Sequence, residues 1–183
     1  AQLSCVVRDV DWTVHELRPY WGNSFLQVEA SLCGGTSFEV LRRFYADVLT
    51  SFGFAPPEDM LERMQQLAKE ASADANGIEL EPLFAGERGA PNLRGQLVGI
   101  SSANLTTANL SRALIEGLAR HLAAMLQMLR QTLVKGLVGA GNALARNTLL
   151  RQALVRYSGL PLVMAPFDEA AAVGAALYGL ASL

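Results

Sequence analysis

The residues with the most chemical promise lie in one short loop, Gly139-Ala140-Gly141-Asn142, set between an apolar run and a helical stretch. A strand that enters a glycine turn and leaves it as a helix brings bare backbone N–H groups against a ligand, because glycine has no Cβ. The loop does not fit a dinucleotide fingerprint. Leu144 stands where the third glycine would be, and no acidic residue closes a second strand about 20 residues on. A phosphate loop of the G-x-x-x-x-G-K-[ST] type is absent from the sequence. Taken alone, a GxG turn is equally consistent with a purely structural role.

The remaining candidates are weaker. There is no G-x-S-x-G, and His15 and His121 are the only histidines, so hydrolase chemistry has little choice of base. His121 lies beside the apolar face of a helix and reads as a packed or rim residue. Cys33, before Gly34-Gly35, reads as a small buried side chain. Both histidines are separated in sequence from Cys5 and Cys33, the only cysteines, so no metal site is expected. Asp168-Glu169 suits the acidic start of a helix, where it complements the dipole. No residue of the chain is assigned a catalytic role.

The bulk properties narrow the partner. With 183 residues, 51% hydrophobic and 17% charged, the chain can bury one substantial core and is not a disordered one. Acidic and basic residues nearly cancel, 17 against 15, with no basic stripe for nucleic acid and no polybasic cluster for a membrane surface. A small molecule or another protein is the expected partner, and a homodimer is compatible with this composition. Two cysteines, no leader and no apolar run near the roughly 20 residues of a membrane span make the cytoplasm the default compartment. The opening Ala1–Val7 reads as a strand already in progress, as in a piece of a longer chain.

Periodicity supplies the elements that must hold these residues. Short β-prone runs at 2–8, 14–19 and 24–31, separated by turn signals, predict an antiparallel meander. Thr36 or Ser37 is the expected cap of a helix reaching Ser51, with Val40, Leu41, Phe44, Val48 and Leu49 at helical spacing. A second helix is predicted over 57–72, and residues 74–99 read as an irregular segment or a pair of short strands. A long helix over 107–131 carries Leu110, Leu114, Leu118, Leu122, Met125 and Leu129 on one face. Then come a strand at 136–138, the glycine loop, a helix over 145–157 ended by Gly159, a strand at 160–164 and an alanine-rich helix over 169–180. This order predicts a mixed α/β sheet with crossover helices.

Three segments together resemble the FGGY carbohydrate kinase family. Gly86-Glu87-Arg88, Gly95 to Ile100 and Asn109 to Gly117 are similar to its C-terminal signature, in which a G-x-x-x-G strand leads into an R-A-x-x-E-G helix. Gly139 to Asn147 resembles its adenosine loop, and Glu169 to Ala176 its closing E-x-x-A-x-G-A-A helix. Order and spacing agree over roughly residues 77–180. The resemblance implies a ribonuclease-H-like, actin-like (ASKHA) α/β domain with a mixed five-stranded sheet flanked by helices, spanning residues 1–183 as the C-terminal nucleotide-binding domain. A sugar-binding N-terminal domain would lie upstream.

The implied reaction is transfer of the ATP γ-phosphate to a sugar hydroxyl with Mg²⁺, ATP and ADP being the nucleotide partners. Carried over by position, Gly139, Ala140, Gly141 and Asn142 line the adenosine, Arg146 or Asn147 lies near the base, and Gly34 and Gly35 support the nucleotide side. Glu87 and Arg88 are read as a structural salt-bridge pair. The loop form G-x-G-x-A-L-x-R-N and Ala30–Gly35 resemble the branch acting on sedoheptulose, with xylulose- and glycerol-type acceptors as alternatives. The family's base is an Asp expected upstream of residue 1, so the chain alone is expected to be inactive. The competing readings are a non-catalytic actin-like ATP-binding module and a Rossmann-type oxidoreductase domain.

Overall fold

A computed structural model describes residues 1–8, 16–129, 134–167 and 170–181. The Asp9-Val10-Asp11 turn, His15 and the Asp168-Glu169 pair lie outside the described residues. Strands β1 (Gln2–Val7), β2 (Leu17–Pro19) and β3 (Phe25–Ala30) form an antiparallel sheet in the order β1-β3-β2, with Gln2 opposite Ala30 and Leu17 opposite Gln27. The three strands are antiparallel as expected, but they do not form a meander: β3 rather than β2 is central, and β1 and β2 are its two edges.

Helix α1 (Gly35–Ser51) begins before the expected Thr36 or Ser37 cap. Gly34 is the N-cap at φ 142°, and its N–H points at Ser37 Oγ at 3.5 Å. A backbone angle in that region strains any L side chain, so glycine rather than a Ser or Thr starts the helix. The apolar face is also turned from the expectation. Leu41 and Tyr45 are buried, whereas Phe44 and Val48 are exposed. Helix α2 (Met60–Glu70) is shorter than predicted, and its Met60, Met64 and Ala68 enter the core.

The irregular segment contains a 3₁₀ turn (Ala75–Gly77) and an antiparallel pair, β4 (Glu79–Glu81) with β5 (Gln96–Val98). Helix α3 (Thr107–Met128) is the central element, packed on α2, β4 and α5 (Thr148–Ser158). The expected single face understates it. Every residue from Ser111 to Ala119 is buried, so the middle of α3 is enclosed all round. Gly117 makes that possible, since a Cβ there would sit 1.9 Å from the Leu80 carbonyl oxygen.

Enclosure on all sides buries two charges as well. Arg112 and Glu116 pair one turn apart at 2.7 Å, with side chains 7% and 4% exposed. Arg156 of α5 closes on the other oxygen of Glu116. Tyr45 donates to the Thr107 carbonyl at 2.9 Å and lies 3.1 Å from Ser111 Oγ; burial pushes its phenol up to about 12. Asn109 and Asn104 tie the start of α3 to Asn76 and to the Gly99 carbonyl. The arginine, glutamate and glycines of the 95–117 signature are thus packing devices.

The chain closes with β6 (Leu137–Gly139), α4 (Asn142–Arg146), α5, β7 (Leu162–Met164) and α6 (Ala170–Ala181). β6 and β7 run parallel, with α4 and α5 as their crossover. The mixed α/β class holds. The five strands of the expected sheet, however, form two separate sets among the described residues: no ladder joins β1 to β6, and a cavity separates their edges. No helix among the described residues is long and apolar enough to cross a membrane.

Candidate functional site

The loop at 139–142 is set by two different glycine requirements. Gly139 ends β6 in a crowded position, where a Cβ would meet Met164 Sδ at 3.0 Å and Leu144 Cδ1 at 3.1 Å. Gly141 has open space around it, but its φ of 89° is one that L residues rarely adopt. The first glycine therefore serves packing and the second serves the path of the chain. Ala140, Gly141 and Asn142 are exposed as a result, and Ala145 N–H returns to the Gly141 carbonyl at 3.0 Å to start α4.

The fold brings the second predicted turn to the same place. Gly34, Gly35, Gly139, Ala140, Gly141 and Asn142 all line one cavity of about 670 Å³. Its apolar wall comes from Leu118 and Leu122 of α3 and Leu150 and Leu154 of α5, and Gln2 to Cys5 of β1 form the facing edge. A second cavity of about 280 Å³ lies on the other side of the loop, between Ala140–Asn142, Ala145, Arg151, Ala165 and Phe167. Among the described residues neither lining contains a carboxylate, whereas Lys135 lines the first and Arg151 the second.

Two expected contacts do not assemble with the rest. Arg146 is exposed at the end of α4, and Asn147 is buried; neither lines either of these two cavities. Asn147 breaks the predicted single helix into α4 and α5, at φ −121° and ψ 94°. Its Oδ1 accepts the Leu150 N–H at 3.0 Å, a side-chain cap that competes with continuing the helix. Its Nδ2 is buried without a partner. Gly159 ends α5 in the left-handed region at φ 68°, as expected of a glycine after a helix.

Glu87 and Arg88 do not pair with each other. Arg88 reaches Glu16 at 3.6 Å, while Glu87 accepts from Ser31 at 2.7 Å and stands 3.0 Å from His121 Nε2. Adjacent residues in an extended loop project to opposite sides, so each meets a different element. Cys33 and His121, far apart in sequence, meet at the same point: Cys33 Sγ, Glu87 Oε1 and His121 Nε2 lie within 4.8 Å of one another. Sequence spacing gave no sign of this cluster, because three separate elements build it.

With this geometry in place, comparisons with known proteins are informative. The model of the FGGY family of carbohydrate kinases, C-terminal domain, matches residues 15–183. Human sedoheptulokinase is 33% identical over 165 residues, covering 88% of this chain and 34% of the relative. The chain thus spans about a third of that relative's length. A ligand-bound xylulose kinase from Lactobacillus acidophilus superposes with a TM-score of 0.74 at 19% identity, covering 92% of this chain and 34% of that one. Plasmodium falciparum glycerol kinase with ADP gives 0.65 at 16% identity, covering 84% of this chain and 29% of that one.

Proposed function

We propose that this chain, which belongs to the FGGY family of carbohydrate kinases as its C-terminal domain, is the nucleotide-holding part of an enzyme that moves the γ-phosphate of ATP to a sugar hydroxyl. The observation that carries this reading is the single cavity lined by both glycine turns, Gly34-Gly35 and Gly139–Asn142. Turns without Cβ atoms let backbone N–H groups approach a nucleotide closely, and the leucine wall offers an apolar surface for a base. Lys135 and Arg151 provide positive charge without a competing carboxylate. The family kinship supports ATP over a nicotinamide cofactor.

Phosphoryl transfer is mostly positioning and charge stabilisation, and it needs a group to receive the sugar hydroxyl's proton. The chain's contribution is to bind and orient the nucleotide. Among the described residues no carboxylate lines either cavity. The base, the metal ligands and the sugar contacts are assigned to the rest of the protein. The 183-residue chain by itself therefore binds ADP but phosphorylates nothing. Sedoheptulose is the favoured acceptor, supported by the 33% identity to a named sedoheptulokinase across 88% of the chain.

Calorimetric titration of the chain with ADP and with NAD tests the nucleotide assignment. ADP binds, NAD does not, and Gly141→Arg abolishes ADP binding while leaving the circular dichroism unchanged. Absence of ADP binding, or full binding by Gly141→Arg, sinks the reading. Steady-state assays of the whole protein with sedoheptulose, xylulose and glycerol then decide the acceptor. The highest kcat/KM is expected for sedoheptulose.

A further inference from the structure

We propose that Cys33 Sγ, Glu87 Oε1 and His121 Nε2 form a three-ligand site for a divalent transition metal of the zinc class. The three atoms come from the β3–α1 turn, the loop after β4 and helix α3, and all lie within 4.8 Å of one another. Glu87 Oε1 is 3.0 Å from His121 Nε2 and 3.8 Å from Cys33 Sγ. Tetrahedral zinc with ligands at about 2.0–2.3 Å sets neighbouring ligand atoms roughly 3.3–3.6 Å apart. The two separations from Glu87 Oε1 are within a few tenths of an ångström of these values, and drawing Cys33 Sγ and His121 Nε2 together from within 4.8 Å completes the coordination shell.

The surroundings are those of a ligand set. A metal-binding histidine characteristically turns its other ring nitrogen to a carboxylate, which fixes the tautomer. His121 Nδ1 lies 3.6 Å from Glu81 Oε1, so that carboxylate stands ready to receive the ring N–H once Nε2 binds a metal. Ser31 Oγ donates to Glu87 at 2.7 Å, lies 2.9 Å from His121 Nε2 and accepts the Cys33 N–H at 3.0 Å. That hydroxyl touches two of the three ligand atoms and is the nearest group to serve as a fourth ligand. The donor set of thiolate, imidazole and carboxylate selects zinc-like ions over Mg²⁺, which prefers oxygen alone.

A nucleophilic role for the cysteine fits less well. Cys33 is 3% exposed, and its thiol donates to the Pro82 carbonyl at 3.1 Å. Burial raises the thiol's pKa, which disfavours a free thiolate. A bound cation reverses that preference. The Cys33 S–H bond breaks as the sulfur–metal bond forms, and one proton leaves to solvent.

The test is a Co²⁺ titration of the reduced, chelator-washed chain, read by thiolate-to-metal absorption, with Zn²⁺ competition and Mg²⁺ as control. One Co²⁺ per chain is expected, displaced by Zn²⁺ and not by Mg²⁺. At zinc a hundredfold above Kd the melting midpoint rises by roughly 5–10 °C. Cys33→Ser abolishes the absorption, Glu87→Gln and His121→Gln each weaken binding at least tenfold, and Cys5→Ser changes nothing. No absorption at one equivalent, or the same band in Cys33→Ser, overturns the site. If Cys33→Ser fails to fold, Glu87→Gln decides, since it preserves shape and an acceptor: undiminished Co²⁺ affinity there overturns the proposal. None of these readouts involves nucleotide, so the metal site and the nucleotide assignment fail or survive separately.

Discussion

The middle of α3 and the loop at 139–142 use the same small residues for opposite ends. In α3, Gly117 removes a side chain so that a carbonyl can press against the helix, and the charges of Arg112 and Glu116 are enclosed and paired. In the loop, Gly141 removes a side chain so that the backbone can turn, and space is left open beside it. The contrast teaches how to read a glycine: one whose missing Cβ is replaced by protein atoms serves packing, and one in open space at positive φ serves the path of the chain.

Breaking the buried ion pair should cost most. Glu116→Ala leaves Arg112 enclosed with its pair removed, and urea denaturation is expected to show a loss of about 3–5 kcal/mol. A loss below about 1 kcal/mol would mean that water reaches Arg112 and that α3 is not enclosed.

Gly117→Ala comes next. Helix propensity alone predicts a gain of about 1 kcal/mol, because alanine replaces glycine inside a helix. The Leu80 carbonyl predicts the reverse, a net loss of about 3 kcal/mol from overpacking. The sign of the shift in melting temperature discriminates between the two.

Tyr45→Phe has a smaller effect and a pH signature. It removes the bond to Thr107 and should cost about 1 kcal/mol at neutral pH. The native phenol ionises near 12, above the unfolded value of about 10. Protons are therefore held more tightly by the native state. The resulting stability is fully present below pH 10 and is lost as pH rises from 10 through 12. The wild-type urea midpoint should fall across that window, and the fall should be shallower in Tyr45→Phe.

On the loop side, Gly141→Ala is expected to cost about 1 kcal/mol through its positive φ and at least tenfold in ADP affinity. A stability loss as large as that of Gly117→Ala would remove the distinction between the two glycines. The smallest effect belongs to Arg63→Ala, which breaks an exposed, solvent-screened pair with Asp59 and should leave the urea midpoint unchanged.

Much of the architecture was legible because local rules govern it. Helical spacing located α3, glycine punctuation located the C-terminal end of α5 and the turn after β6, and the stretch at 74–99, read as an irregular segment or a pair of short strands, contains the pair β4–β5. Errors arose where tertiary contacts outvote local signals. Phe44 and Val48 have the spacing of a buried stripe yet face solvent, because Leu41 and Tyr45 took the core side of α1. Asn147 reads as mid-helix until its side chain is seen to cap α5.

The glycine turns, the alternation of strands and helices and the R-A-x-x-E-G signature were written in the sequence, since each depends on residue types at fixed local spacing. Only the tertiary structure decided that Gly34-Gly35 and Gly139–Asn142 share one cavity, and that Asn147 is a cap and not a wall of it. It alone decided, too, that Cys33, Glu87 and His121 meet. The physical reason is shared by the cavity and the cluster. Contacts between residues dozens of positions apart are set by how buried faces pack around α3, and no spacing along a single strand or helix encodes them.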